Sequence, residues 1–176
     1  MAMERMDIKR IIEAILFCSP RPVTIKALKK RLDEFSIEEI AAGIEALMDE
    51  YNHSDRAIEI WEVSGGFQMR TRIEYKEWVK RFVREKEMEL TQPVLETLAI
   101  VAYRQPITKK EIDGIRGVDS SRSIRQLLQR RLIQMAGREG DGRGLVFKTT
   151  DRFLEVYGLK SIADLPTARE LKTIEG

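Results

Sequence analysis

The 176-residue chain has a single cysteine and a single histidine, which removes most catalytic chemistry from consideration. Cys18 has no partner for an intramolecular disulfide, which predicts an intracellular protein; set in an apolar helical pattern, it reads as a buried structural thiol. His53 sits in the polar stretch Asn52-His53-Ser54-Asp55 and reads as a solvated loop residue. With one His and one Cys far apart, neither a zinc site nor a Cys–His nucleophile pair can be built, so no enzyme, metal or cofactor is expected. No apolar run approaches the length of a membrane span, so no membrane partner is expected. Glu4, Arg5, Asp7, Lys9 and Arg10 break any signal-peptide pattern at the N-terminus. Gly140-Asp141-Gly142-Arg143-Gly144 lacks the Lys-Ser/Thr of a phosphate loop and leads into a strand, so it is expected to be a flexible hairpin tip. Net charge is only +2. It divides as −1 over residues 1–88 (16 basic, 17 acidic) and +3 over 89–176 (15 basic, 12 acidic). That excess does not mark a dedicated nucleic-acid coater.

What the chain does have is a repeat. Ala14–Thr24 (AILFCSPRPVT) and Leu98–Thr108 (LAIVAYRQPIT) align without a gap at an offset of 84 residues. A period that long exceeds solenoid units and points to a tandem duplication.

Each copy follows one script. In the first, Ile8, Ile11, Ile12 and Ile15 space a helix over 7–18, ended by Pro20 and Pro22. Thr24 caps a second helix to about Leu32, with Val23 and Leu28 as a staple. Ser36 and Glu39 form a capping box, with Phe35 and Ile40 as its staple. They open a third helix whose core face is Ile37, Ile40, Ala41, Ile44, Met48 and Tyr51. Strands over 57–63 and 67–71 flank Ser64-Gly65-Gly66. Thr71 and Glu74 then read as a capping box for a helix to about Glu87. Trp61, Phe67, Trp78 and Phe82 read as packing residues.

In the second copy, Thr91 caps a helix with Pro93 in its first turn and Gln105-Pro106 at its end. Thr108 and Glu111 form a capping box, with Ile107 and Ile112 as a staple, and Gly114 to Gly117 closes that helix. A third helix runs from Asp119 or Ser120 to about Arg131. A hairpin over 132–137 and 145–149 follows, and Thr150 opens a helix to Tyr157. Three helices and a hairpin make a winged helix-turn-helix. The expected fold is therefore mainly α with small β-hairpin wings, in two tandem domains over 1–88 and 89–167, with a frayed tail over 168–176.

At Leu90–Ser120, LTQPVLETLAIVAYRQPITKKEIDGIRGVDS resembles the signature of the segregation and condensation protein B family. Phe153–Pro166 (FLEVYGLKSIADLP) resembles the family's C-terminal segment. Ile11–Leu32 and Gly65–Phe82 resemble its N-terminal half. In the second wing Gly144 stands where the family usually has Pro, which leaves that wing less rigid. The resemblance implies a non-enzymatic subunit of the bacterial chromosome condensation complex. Such a subunit forms a homodimer through its N-terminal domain. It binds an ScpA-like kleisin and, through it, an ATPase of the structural-maintenance-of-chromosomes (SMC) class, at the nucleoid in the cytoplasm.

The residues add expectations of their own. Leu98–Tyr103 is apolar around the whole helix, more than one core face needs, which points to a partner surface. With the partner that the resemblance implies, Leu98, Val101, Tyr103, Arg104 and Gln105 are the candidate kleisin contacts. Ile12, Ile15, Leu16 and Phe17, in the matching helix of the first copy, are the candidate dimer contacts. The third helices differ in charge. The first carries Glu38, Glu39, Glu45, Asp49 and Glu50 and no Lys or Arg. The second carries Arg122, Arg125, Arg130 and Arg131 and no acid, making these the candidate contacts for weak, sequence-independent DNA binding. A tandem winged-helix transcription regulator is the alternative reading.

Overall fold

The computed structural model describes residues 7–83, 90–138, 144–167 and 170. The chain divides into two compact units, Met1–Lys86 and Glu87–Gly176. The expected wing tip at 139–143, the expected helix end at 84–87 and nearly all of the tail fall outside the described residues.

In the first unit, Asp7 caps α1 (Ile8–Cys18) by accepting from the Lys9 amide. Thr24 caps α2 (Ile25–Lys29) through the Ala27 amide at 3.1 Å. α2 ends at Lys29, three residues short of the expected end. There Lys29 Nζ turns to the carbonyls of Asp33 and Phe35, both at 2.8 Å. The Ser36–Glu39 capping box opens α3 (Ile37–Asn52). The core face of α3 is rotated from the expected one: Ile40, Gly43, Ile44, Leu47 and Tyr51 are buried, while Ile37 is exposed. Gly43 faces α1: a Cβ there would lie 3.1 Å from Ile12 Cδ1, so the glycine lets the two helices approach without displacing that side chain.

β1 (Ile58–Val63) and β2 (Gly66–Thr71) pair antiparallel across Ser64-Gly65. Both turn residues have positive φ, 51° and 67°, the backbone of a type I′ hairpin turn. Val23 adds a bridge to Phe67 through two backbone hydrogen bonds of 2.9 and 3.0 Å. Gly66 permits it, since a Cβ there would meet the Val23 backbone at 3.0 Å.

The Thr71–Glu74 box does not form. Thr71 is still paired with Ile58 as the last residue of β2, and the next turn starts at Arg72 without a side-chain cap. Arg72 is committed elsewhere: its guanidinium reaches the carbonyls of Tyr51, Asn52, Ser54 and Arg56 at 2.9–3.1 Å. In place of one long helix there is a 3₁₀ turn, Ile73–Tyr75, and a short α4 (Lys76–Lys80).

The second unit opens with α5 (Gln92–Arg104), with Thr91 at its N-cap and Pro93 in the first turn. β3 (Ile107–Thr108) leads into α6 (Lys109–Arg116) through the Thr108–Glu111 capping box. Gly114 lies inside α6, and the helix ends at Gly117 in the left-handed conformation, φ 71°. α7 (Ser121–Gln129), β4 (Ile133–Arg138), β5 (Leu145–Thr149) and α8 (Asp151–Tyr157) complete the order. The sheet order is β3-β5-β4, all antiparallel, with Ile107 opposite Phe147. The sequence pattern does not reveal this third strand. Ile107 lies at the repeat offset from Val23, so this strand corresponds to the Val23–Phe67 bridge of the first unit.

Candidate partner-binding surfaces

In the second unit, α5 buries Val94, Thr97, Leu98, Val101 and Ala102, and the Thr97 hydroxyl donates to the Pro93 carbonyl at 2.8 Å. Leu98 and Val101, expected at the kleisin surface, are 3% and 0% exposed and belong to the core with Ile112, Leu127 and Phe147. A hydrophobic run around a helix does not say which side its own domain covers. The open side carries Leu95, Ala99 and Tyr103, four residues apart and therefore in one stripe. Arg104 is exposed. The Tyr103 hydroxyl donates to the Pro166 carbonyl at 2.7 Å. Gln105 is structural: its Oε1 accepts from the Thr149 amide and hydroxyl at 2.8 and 2.9 Å, tying the end of α5 to β5.

The turn between α6 and α7 is built on Asp113. Its carboxylate accepts from Lys109 Nζ, from the Ser120 amide at 2.8 Å and from the Ser120 hydroxyl. The Lys109 hydrogen bond, followed by that of Ser120, pulls the Asp113 carboxyl down to about 2. Lys109 also holds Asp119 at 2.6 Å, and the two carboxylates, Asp113 first, raise the lysine in turn. Arg116, largely buried, makes one long contact to Glu96 at 3.4 Å, and its Nε has no acceptor.

This turn presents α7, which buries Ile124 and Leu127 and exposes Arg122, Arg125 and Gln129. Arg131 is exposed with φ 57°, while Arg130 is half-buried and has a partner. The four candidate DNA-contact arginines are therefore three surface cations and one engaged side chain.

In the first unit, Ile12 and Leu16 are fully buried core residues, so they cannot meet a second chain. Ile15 is half-buried, and Phe17 is 74% exposed. Cys18 is exposed, contrary to its expected burial, because it follows Phe17 on the outer side of the last turn of α1. On α3, Glu38, Glu45 and Asp49 are exposed. Glu50 is clamped by Lys9 at 2.6 Å and Arg56 at 2.8 Å, and the Lys9 hydrogen bond lowers its pKa.

The surface missed by sequence reasoning follows β2. Ile73, Trp78 and Phe82 are 73%, 61% and 88% exposed, and Tyr75 and Val83 are exposed beside them. Trp61 is exposed as well, and of the four expected packing aromatics Phe67 alone packs against the core. The available signal was the run KEWVKRFV (76–83), in which apolar pairs alternate with cations over two turns without a cap to fix the helix to the domain.

Two winged helix-turn-helix units, each with an exposed apolar surface and with third helices of opposite charge, define a tandem winged-helix protein. The chain belongs to the segregation and condensation protein B family: the family model for the segregation and condensation complex subunit ScpB matches residues 10–168. The segregation and condensation protein B of Syntrophotalea carbinolica is 40% identical over 169 residues, covering 96% of this chain and 85% of the relative. That of Clostridioides difficile is 40% identical over 167 residues, covering 93% of each. Among solved structures, ScpB from Mycobacterium tuberculosis is 35% identical, with 90% of this chain and 99% of that one covered and a TM-score of 0.42. A dimer of an ScpB N-terminal domain complexed with ScpA peptide is 30% identical, over 43% of this chain and 93% of that one, with a TM-score of 0.39.

Proposed function

We propose that this chain is a non-enzymatic subunit of a bacterial SMC–kleisin complex that supports chromosome condensation and partition at cell division. In this reading it forms a homodimer through the first unit and holds the kleisin with the second, and the kleisin links it to the SMC ATPase at the nucleoid. Family membership supports the setting. The observation that carries the kleisin surface is the Leu95–Ala99–Tyr103 stripe, left open on a helix whose other side fills the core. An amphipathic helix docks on such a stripe by burying its own apolar face along it.

Ala99→Arg tests this reading more cleanly than any change at Leu98, because position 99 is exposed and the fold has no stake in it. With the wild-type chain and its kleisin co-expressed, a stable complex is expected. Ala99→Arg should weaken it at least about tenfold, with an unchanged thermal melt. Undiminished binding would remove this face from the interface. Failure of the wild-type pair to copurify would remove the reading.

The exposed arginines Arg122, Arg125 and Arg131 favour a secondary role in weak, sequence-independent DNA contact by the second unit. The transcription-regulator alternative requires sequence readout. The acidic α3 of the first unit opposes that, since phosphates would be repelled from its recognition face.

A further inference from the structure

We infer that the segment 73–83 of one chain is an arm that seats in an acid-rimmed groove on the first unit of a second copy. The inference rests on the homodimer reading above and specifies its contact. Within eleven residues the arm exposes Ile73, Tyr75, Trp78, Phe82 and Val83. Exposed apolar surface on this scale marks an association site. The arm carries Lys76, Lys80 and Arg81 against Glu74 and Glu77, and Lys80 pairs with Glu77 at 3.7 Å, so its cations gather toward the outer turn, at Lys80 and Arg81. Arg81 lies over the Trp78 ring at 4.3 Å, so cation and indole present themselves as one unit.

The same unit carries the matching receptor. A groove of about 400 Å³ between α2, α3 and β2 has an apolar floor that includes Ile25, Ile44, Met48 and Phe67. Glu45 and Asp49, both exposed, stand on its rim, where His53 Nδ1 lies 3.0 Å from the Asp49 carboxylate. The groove thus offers apolar surface for an aromatic side chain and carboxylates for the cations that flank it. Arm and groove are open together in one chain, so neither satisfies the other within it. About a two-fold axis each copy gives its arm and receives its partner's, which closes the assembly at two. The acidic α3, unsuited to DNA, has a use on this account: it meets the Lys80–Arg81 turn of the arm.

The full chain tests the inference by analytical ultracentrifugation across a concentration series, with circular dichroism to check the fold. Wild type is expected to be a dimer, and Trp78→Ser with Phe82→Ser should raise its Kd at least about 30-fold without changing the thermal melt. Two charge-reversal chains provide the second arm, one with Lys80→Glu and Arg81→Glu, the other with Glu45→Lys and Asp49→Lys. Each alone should be monomeric at concentrations where wild type is dimeric, and an equimolar mixture should form a heterodimer, because both arm–groove contacts regain opposite charge. If wild type is a dimer and the arm variants remain equally tight, the inference is overturned and the dimer reading stands. If the mixture fails to pair, this groove is not the receptor. If wild type is monomeric throughout, the dimer reading itself falls.

Discussion

Replacing Asp113 by Ala should loosen the second unit and leave the first untouched. Ser120 is fully buried, and both its amide and its hydroxyl donate to the Asp113 carboxylate. Removing the acceptor strands these two donors at a cost of about 1–3 kcal/mol each. The hydroxyl can rotate and recover part of its loss. The Lys109 pair is exposed and screened by solvent, so it adds little. The sum is about 2–4 kcal/mol, which for a unit of this size lowers Tm by roughly 8–32 °C. Adding Ser120→Ala to the variant should return about 1 kcal/mol, since it removes one stranded donor, and a double-mutant cycle reads this directly.

The assay has an internal control. Both tryptophans, Trp61 and Trp78, lie in the first unit, so their fluorescence melt reports that unit alone while far-UV circular dichroism reports both. A dichroism loss below about 0.5 kcal/mol, within the range of ordinary surface changes, would refute the hub role. So would an equal shift in the tryptophan melt. The same carboxylate sets an acid limb. Its folded pKa, about 2, lies below the unfolded value. Its contribution is therefore complete above about pH 4 and is lost as pH falls through 2. Asp113→Asn should flatten the fall in Tm across that window, because the neutral amide does not titrate.

Three further outcomes are expected. Arg72→Ala should destabilise the first unit by about 2–3 kcal/mol in a tryptophan-monitored urea titration, because four loop carbonyls lose their donor, and Arg72→Lys should recover less than half of it. Cys18 should react fully with a maleimide in the native protein at the rate of a free thiol; protection would put it back in the core. Arg122→Ala, Arg125→Ala and Arg131→Ala together should lower the slope of log K against log salt for duplex DNA by about 2.7, or 0.9 for each lost phosphate contact. An unchanged slope would place any DNA contact elsewhere.

The legible parts of the fold were those set by neighbours in the chain. Thr24, Ser36 with Glu39, Thr108 with Glu111, and Thr150 all cap the helices their spacing predicts, since a cap needs only three or four residues to form. Thr71 with Glu74 has the same spacing and fails, because ladder pairing to Ile58 and the remote demands on Arg72 outweigh one local cap. The Val23–Phe67 and Ile107–Phe147 pairings span roughly 40 residues of sequence, about half of one unit, and leave no local trace. The partner-contact residues were hard to read for a related reason. Periodicity identifies helices, yet which side of α1 or α5 is covered depends on elements elsewhere in the chain, so Ile12, Leu16, Leu98 and Val101 lie in the core.

The contrast between the two units after the wing gives the association reading its firmest physical basis. In the second unit the chain leaves β5 into α8, whose Phe153 is buried, and Leu159 and Leu165 then pack back on the core. Tyr103 fixes the end of that segment through Pro166. In the first unit the chain leaves β2 at the same topological point and its large apolar side chains face solvent: Ile73, Trp78 and Phe82 find no cover within the unit. A domain of about 80 residues has little apolar surface to spare, and leaving an indole and a phenyl ring in water forgoes about 1.5–3 kcal/mol apiece. Had these residues served only to close a core, the second unit shows how the same scaffold does it. Their exposure in the first is the surface that the proposed contact between chains would cover.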